Sequence, residues 1–479
     1  LLGLIDGQSS SQRENGPLFG PESAVGSGVY LAAMDAQPQR LKRALTLRDL
    51  ILYGIVVIQP VAPMSSFGVL SQRGNGHAVT AILIAMVAML LTAISYGRMA
   101  RAYPSAGSAF TYVGQEIHPA LGYVTGWSMV MDYMLNPMIC IIWCSSTAHD
   151  YVPGIPRVVF VLFFFALFTL LNLRGIKTSA RLNTGLAIGM GIVIAVFFIA
   201  AARYISGVPH DEGFFSRPFY DPARFDLRTV LGGTSIAVLT YIGFDGISTL
   251  SEEAENPRRN ILLATVLTCL LIGILSAVQV YLAQLVWPAS EPFPNVDTAF
   301  LHVGGRAAGH WLNLVIGVTL LIANIGSGMG AQLGAARLLY GMGRSNALPP
   351  RFFAAVDPRN HIPRNNVIFV GVVALAGAFV LDYGLGAELL NFGALIAFMG
   401  VNLAAFVRYY LRETEKKLIN LWPPLAGFVI CFLIWLSLSS LAKIAGAVWL
   451  AVGIAFGAWK TRGFKSNLVS FELPPEDAA

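Results

Sequence analysis

Gly54-Ile-Val-Val-Ile-Gln-Pro-Val-Ala-Pro-Met-Ser-Ser-Phe-Gly68 lies midway along an apolar segment long enough to cross a bilayer, yet it is poorly suited to a continuous helix. Pro60 and Pro63 each lack an N–H and crowd the turn before them. Gln59, Ser65 and Ser66 add polar groups at the same depth. Hydrocarbon offers no hydrogen bonds, so every peptide group freed here needs a partner inside the protein or beside a polar cavity. The bland alternative is a proline kink with packing value only. The rest of the chain decides between the two.

Composition sets the class. The chain has 479 residues, 55% hydrophobic and 12% charged, with a mean hydropathy of +0.64. Soluble proteins carry roughly 25% charged residues. This is the composition of an all-α polytopic membrane protein. Cys140, Cys144, Cys269 and Cys431 all fall in apolar runs without metal-ligand spacing, so they read as buried thiols. The pI near 9.1 does not point to nucleic acid, because the basic residues sit in loops, where they orient the chain in the bilayer. Residues 1–45 are rich in Ser, Gly, Gln and Pro and read as a disordered cytoplasmic tail, or as a start placed upstream of the true one. They lack the apolar core of a signal peptide.

A span needs ~20 apolar residues. On that basis twelve are expected, at 47–71, 78–100, 120–147, 156–173, 182–205, 229–251, 260–286, 311–340, 365–383, 387–408, 420–440 and 442–460. Lys and Arg give an independent check. With both termini cytoplasmic, inner loops and ends hold twenty-three of them and outer loops eight, with Arg13 far out in the tail. A multi-pass membrane location with both ends on the cytoplasmic side is expected. The outer segment 206–228 and the inner segment 341–364 read as folded loops. The expected organisation is a ten-helix core over 46–411, two further helices over 412–462, and a cytoplasmic tail over 463–479.

A second weak helix appears in span six, Leu239-Thr-Tyr-Ile-Gly-Phe-Asp-Gly246. Gly243 and Gly246 weaken the helix interior by about 1 kcal/mol each. Asp245 between them is an ionisable group at mid-membrane, which marks a functional site by default. Broken spans one and six, five apart, fit an inverted repeat of spans 1–5 and 6–10, and discontinuous helices of this kind form substrate sites in secondary transporters. Span three adds Trp127, Asp132, Tyr133 and Asn136, and span eight adds Asn324, Ser327 and Gln332. A lone Asn or Ser at such depth is more simply a hydrogen bond between helices, worth ~0.6 kcal/mol. For Asp245 and the Asp132–Tyr133 pair the functional reading is stronger, since a carboxylate in hydrocarbon costs far more than a hydroxyl.

Five stretches carry a family resemblance. They are Ser95-Tyr-Gly-Arg-Met-Ala-Arg-Ala-Tyr-Pro-Ser-Ala-Gly-Ser-Ala-Phe-Thr-Tyr112; Gly126-Trp-Ser-Met-Val-Met-Asp-Tyr133; Gly243-Phe-Asp through Leu250-Ser-Glu-Glu-Ala-Glu-Asn-Pro257; Ala336-Arg-Leu-Leu-Tyr-Gly-Met-Gly-Arg344; and Asn391-Phe-Gly-Ala-Leu395. In this order they resemble the amino acid–polyamine–organocation (APC) permeases over residues 45–465, with the strongest likeness to the bacterial putrescine-importer branch. The resemblance implies a LeuT-like 5+5 fold with broken helices 1 and 6, alternating access, and a substrate pocket walled by spans three, eight and ten. It implies amides of Met64, Ser65, Ser66 and Phe67 after Pro63 offered to a substrate carboxylate. It also implies carbonyls around Tyr241–Gly243, beside Phe244, accepting from an ammonium.

The implied substrate-binding set is Gln59, Pro63, Ser65, Ser66, Asp132, Tyr133, Tyr241, Gly243, Phe244, Asp245 and Asn324. Departures from the family pattern are Pro63-Met-Ser-Ser in place of a glycine-rich break, Ser65 where the putrescine-like branch has Asp, and Met190 where proton-coupled relatives often have Lys. The coupling ion is H+ or Na+, the latter with Ser327 as a possible contact. Glu252 and Glu253 at the inner end of span six are surface acids, or they pair with Arg48, Arg98 or Arg101 as an inner gate. Two other classes fit less well: a membrane-embedded enzyme, which would need a nucleophile–base pair or metal cluster that the seven scattered histidines do not form, and a non-transporting sensor on the same fold. The expectation is a permease that takes a small amino acid or amine, with no cofactor, no metal centre and no nucleic-acid partner.

Overall fold

Peptide groups facing lipid have no water to bond, so each apolar stretch satisfies its own N–H and C=O groups by coiling. The computed structural model describes residues 45–104, 108–174, 180–251, 253–344, 348–357 and 362–464, with backbone alone at 180–183. The helices are α1 (Leu47–Ile58), α2 (Ala62–Arg73), α3 (Ala78–Ala102), α4 (Ser108–Glu116), α5 (Pro119–Tyr151), α6 (Arg157–Leu173), α7 (Ala180–Ser206) and α8 (Leu227–Ala237). After two 3-10 turns, Val238–Tyr241 and Phe244–Leu250, come α9 (Pro257–Val286), α10 (Ala299–Ala308), α11 (His310–Arg344), α12 (Pro350–Phe353), α13 (Arg364–Val380), α14 (Tyr383–Phe406), α15 (Leu418–Ser437) and α16 (Ser440–Lys460). Each expected span falls on helix, to within about one turn at its ends, apart from breaks in the first and sixth.

Among the described residues, nine segments are long and apolar enough to cross a membrane, and α1 with α2, bent by 45°, makes a tenth. The helices α6 and α13 are apolar too, but their 17 residues reach only about 25 Å. Large apolar side chains such as Ile199, Phe163, Val380 and Trp422 are exposed on the bundle's outside. In water such a surface marks an interaction site; here the partner is lipid. The chain is a multi-pass membrane protein.

Helix starts follow local chemistry. Thr46 and Asp49 form a capping box at α1, and the Asp226, Asp382 and Ser439 side chains accept main-chain N–H groups at the starts of α8, α14 and α16. The 206–228 loop is folded, as expected. Thr80 donates to the Phe219 carbonyl (2.6 Å) and Arg217 pairs with Asp211 (2.7 Å). In the 341–364 segment, α12 is tied down by Asn366, which donates to the carbonyls of Phe353 (2.9 Å) and Ala336 (3.0 Å). Positions 345–347 and 358–361 of that segment lie outside the described residues, as do 1–44 and 465–479 of the expected tails. Leu45, assigned to the tail from sequence, instead bridges to span six: its N–H donates to the Glu253 carbonyl (3.0 Å) and its carbonyl accepts from Glu255 (2.8 Å).

Two short helices, α4 and α10, follow the second and seventh expected spans and were not anticipated. A buried carboxylate anchors α4. Glu116, with a side chain 0% exposed, lies 2.6 Å from Arg408 and 2.7 Å from Arg412, and accepts from the Tyr103 hydroxyl (2.7 Å). Burial, with the bond to Glu116 adding to it, pushes the Tyr103 phenol up to about 12, so it remains a donor. Removing the carboxylate strands two arginines that share it. Glu116→Ala is expected to destabilise the fold by about 1–3 kcal/mol, the arginines being partly solvated. It should lower the melting temperature in detergent well below that of the wild type, and an unchanged value would contradict the anchoring role.

Candidate functional site

The break between α1 and α2 is where the prolines place it. Pro60 has no N–H to offer the Val56 carbonyl, and Gln59 turns the chain at φ 65°, a left-handed value that costs a non-glycine residue about 1 kcal/mol or more. Across the break, Gln59 N–H donates to Ile55, Ala62 N–H to Gln59 and Met64 N–H to Val61, which leaves the carbonyls of Val57 and Ile58 without a main-chain partner among the described residues. Side-chain bonds tie the break to two neighbouring helices. Gln279 of α9 donates to the Pro60 carbonyl (2.9 Å), and the Gln59 amide donates to the Ala323 carbonyl of α11 (2.7 Å).

The helix resumes earlier than the sequence suggested. It restarts at Ala62, so Ser66 and Phe67 lie in its second turn, where ordinary i→i−4 bonds reach Ala62 and Pro63. Met64 N–H is also used, and the row of free amides expected over Met64–Phe67 shrinks to Ser65. The Ser65 hydroxyl accepts from Asn324 (3.2 Å), which also donates to Leu320 (2.9 Å). The Ser66 hydroxyl bonds back to Ala62 and Pro63 (3.5 Å each). Pro63 is buried in the first turn.

Span six breaks beside span one. Between the two 3-10 turns Gly243 adopts φ 113°, and a Cβ there would lie 2.9 Å from the Val57 side chain. Only glycine satisfies both the dihedral and the contact. The Gly243 carbonyl, expected to be free, accepts from Gly246 N–H (3.1 Å) and closes the second 3-10 turn. Tyr241 points away from the break and donates to the Ile82 carbonyl (3.0 Å). Phe244 packs against Tyr96 (5.5 Å) and Phe398 (5.2 Å).

Two carboxylates converge on this place. Asp245 is 4% and Asp132 5% exposed, and they lie close enough for their charges to interact. Tyr53, Tyr96 and Tyr133 also sense Asp245. Main-chain N–H groups around Gly243–Gly246 face the Asp245 carboxylate. No lysine, arginine or histidine pairs with either acid among the described residues. Two buried carboxylates without a protein cation form a site that favours a positively charged guest.

Other expected residues are placed differently. The Ser327 hydroxyl lies 3.4 Å from Asn136 Oδ1, on α5, rather than on a freed carbonyl of span one. Arg98 is turned toward α15, donating to Asn420 Oδ1 (3.3 Å) and the Ile419 carbonyl (3.4 Å), so it does not form the expected gate pair. Arg48 is exposed, and neither it nor Glu253 has an ion pair among the described residues; Glu252 lies outside them. Main-chain bonds to Leu45 hold this end of span six instead. Sequence reasoning missed Tyr53 and Gln279. Tyr53 sits one turn before Val57 on α1, and Gln279 is an amide in an otherwise apolar run, a signal that was available.

A family profile described as "Amino acid permease" matches residues 58–471. The chain belongs to the amino acid permease family of the APC superfamily. The permease is 35% identical over 445 residues to the low-affinity putrescine importer PlaP of Escherichia coli (strain K12), covering 90% of this chain and 96% of that protein. It is 27% identical over 405 residues to cationic amino acid transporter 4, vacuolar, of Arabidopsis thaliana (80% of this chain, 66% of that protein). Against that plant's cationic amino acid transporter 3, mitochondrial, it is 29% identical over 405 residues (79% and 64%).

The two glycines of the second break differ in what they tolerate. A Cβ at Gly246 would meet only the Tyr53 hydroxyl, at 3.8 Å. Gly243→Ala is expected to lower the melting temperature of the purified permease markedly and Gly246→Ala to leave it near wild type. Equal melting temperatures for the two variants would contradict the close approach of the breaks.

Proposed function

We propose that this permease is a secondary-active importer of small aliphatic diamines, with putrescine as its representative substrate, and that Asp132 and Asp245 are the counter-charges for the two ammonium groups. The observation that carries this reading is the pair of buried carboxylates with no protein cation between them. Loss of the amide row after Pro63 leaves little to receive an α-carboxylate, which argues for an amine over an amino acid. The similarity to a putrescine importer supports the same substrate class. Ser65, where an acid was anticipated for a dication, is compensated by Asp132.

Twelve spans arranged as a 5+5 inverted repeat, with a core over 46–411 and two outer helices, fit these features. The breaks fall in the first span of each half, and α4 and α10 occupy matching places after the second span of each. In this reading both termini are cytoplasmic, as the distribution of Lys and Arg favours, and the membrane is the inner membrane of a bacterium. In this reading the outer path is closed and the inner one open. Phe67 packs edge-on against Phe293 (5.7 Å) and Phe300 (5.6 Å), and a Cβ at Gly68 would collide with the Val296 carbonyl. On the other side of the break Tyr53 and Val57 remain 38% and 37% exposed. The coupling ion in this reading is a proton rather than sodium, given that Ser327 is engaged with Asn136.

In proteoliposomes, Asp245→Asn is expected to weaken putrescine uptake about 10-fold or more, the loss typical of leaving one charge of a buried pair unmatched. Neutral amino acids should be affected far less, and wild-type uptake should follow a pH gradient and ignore exchange of sodium for potassium. Equal losses for charged and neutral substrates would refute the counter-charge role. For the access path, a cysteine introduced by Val57→Cys should react with a membrane-impermeant thiol reagent in inside-out vesicles, with putrescine slowing the reaction. Labelling from the outer face alone would reverse the assignment of sides.

A further inference from the structure

Away from the site, Arg101 lies in the last turn of α3, and Arg258 and Arg259 in the first turn of α9. With Leu262 and Leu263 they line a hollow of about 460 Å³. The two helices meet closely beneath it, where Leu262 seats against Gly97. All three arginines are exposed, and none of their side chains has a hydrogen bond or ion pair among the described residues. Several other arginines do have a carboxylate: Arg408 and Arg412 share Glu116, Arg306 has Glu291, and Arg217 has Asp211. The acids nearest in sequence, Glu253 and Glu255, are held by main-chain bonds to Leu45 and take no arginine.

Arg258 and Arg259 are also electrostatically misplaced by themselves. The first turn of a helix is its positive end and favours anions. Two guanidinium groups there, with a third converging from α3, make a cradle that only an anion relieves. Guanidinium forks match phosphate oxygens in pairs. The lining then changes from charged to apolar within one turn. Leu263, Leu267, Leu270 and Ile274 recur at helical spacing on one face of α9, and the last three are exposed toward the membrane. Basic pockets between spans with an apolar continuation suit phospholipid headgroups.

We propose that this hollow binds the phosphate of an anionic phospholipid, its acyl chain lying along the leucine face of α9. Inorganic phosphate shares the headgroup chemistry but has no use for the leucines. The test titrates the purified full-length permease in neutral detergent with phosphatidylglycerol, phosphatidylcholine or inorganic phosphate and follows its melting temperature. Phosphatidylglycerol should raise it; the other two at the same concentration should not. R101Q/R258Q/R259Q should lose most of the rise, while R351Q/R364Q, which removes two exposed arginines elsewhere, should keep it. Should the triple variant fail to yield monodisperse protein, the single substitution R259Q should reduce the rise. An undiminished rise in the variants of the hollow, an equal loss in R351Q/R364Q, or no rise in the wild type overturns the proposal. An equal rise with inorganic phosphate assigns the hollow to a free anion and overturns the lipid.

Discussion

Peptide groups that lose their helical partners inside a membrane must be satisfied by something else, and the centre of this permease is built around that requirement. Pro60 and Pro63 remove two donors from the first crossing segment, and Gly243 turns the sixth where a side chain would not fit. One glutamine side chain replaces part of what the backbone lost, and a second ties the bend to a neighbour. Gln279 reaches the Pro60 carbonyl and Gln59 reaches Ala323. The carbonyls of Val57 and Ile58 have no main-chain partner among the described residues. Unsatisfied acceptors in hydrocarbon are expensive, and under the proposed function a donor of the substrate would meet them.

The acids at this depth belong to the same logic. A carboxylate buried without a cation is costly, and two near each other are costlier. Elsewhere in the molecule the chain avoids that cost. Glu116 is as deeply buried as Asp132, but it meets two arginines and a tyrosine and serves as an anchor. The contrast separates a structural acid from the two acids proposed to receive substrate: both kinds are enclosed, and only one is already matched.

Much of this was legible in the sequence because it rests on local properties. Apolar length fixes where helices lie, and Pro60, Pro63 and Gly243 have backbone meanings that no context changes. Asp132 and Asp245 stand out against apolar neighbours. Ser65 and Asn324, singled out separately, prove to be bonded to each other. What was not legible depends on reach. Arg98 has a long side chain with several partners available, and the packing of α15 over it decided for Asn420. The anchor of α4 joins residues 292 apart in the chain, and the nine residues of that helix are too few and too mixed to show a periodic pattern. The early restart of helix at Ala62 depends on how the two prolines share one turn, and composition does not report it.

Fastening the bend of the first span to two different neighbours has a mechanical consequence. Gln59 pins it to α11 and Gln279 pins it to α9, so the middle of the span keeps its station while α1 and α2 extend to either side. A rod held at its midpoint is a lever on a fulcrum. Displacing one arm need not drag the other, so under the proposed function a guest at the pivot could keep its place while the arms move.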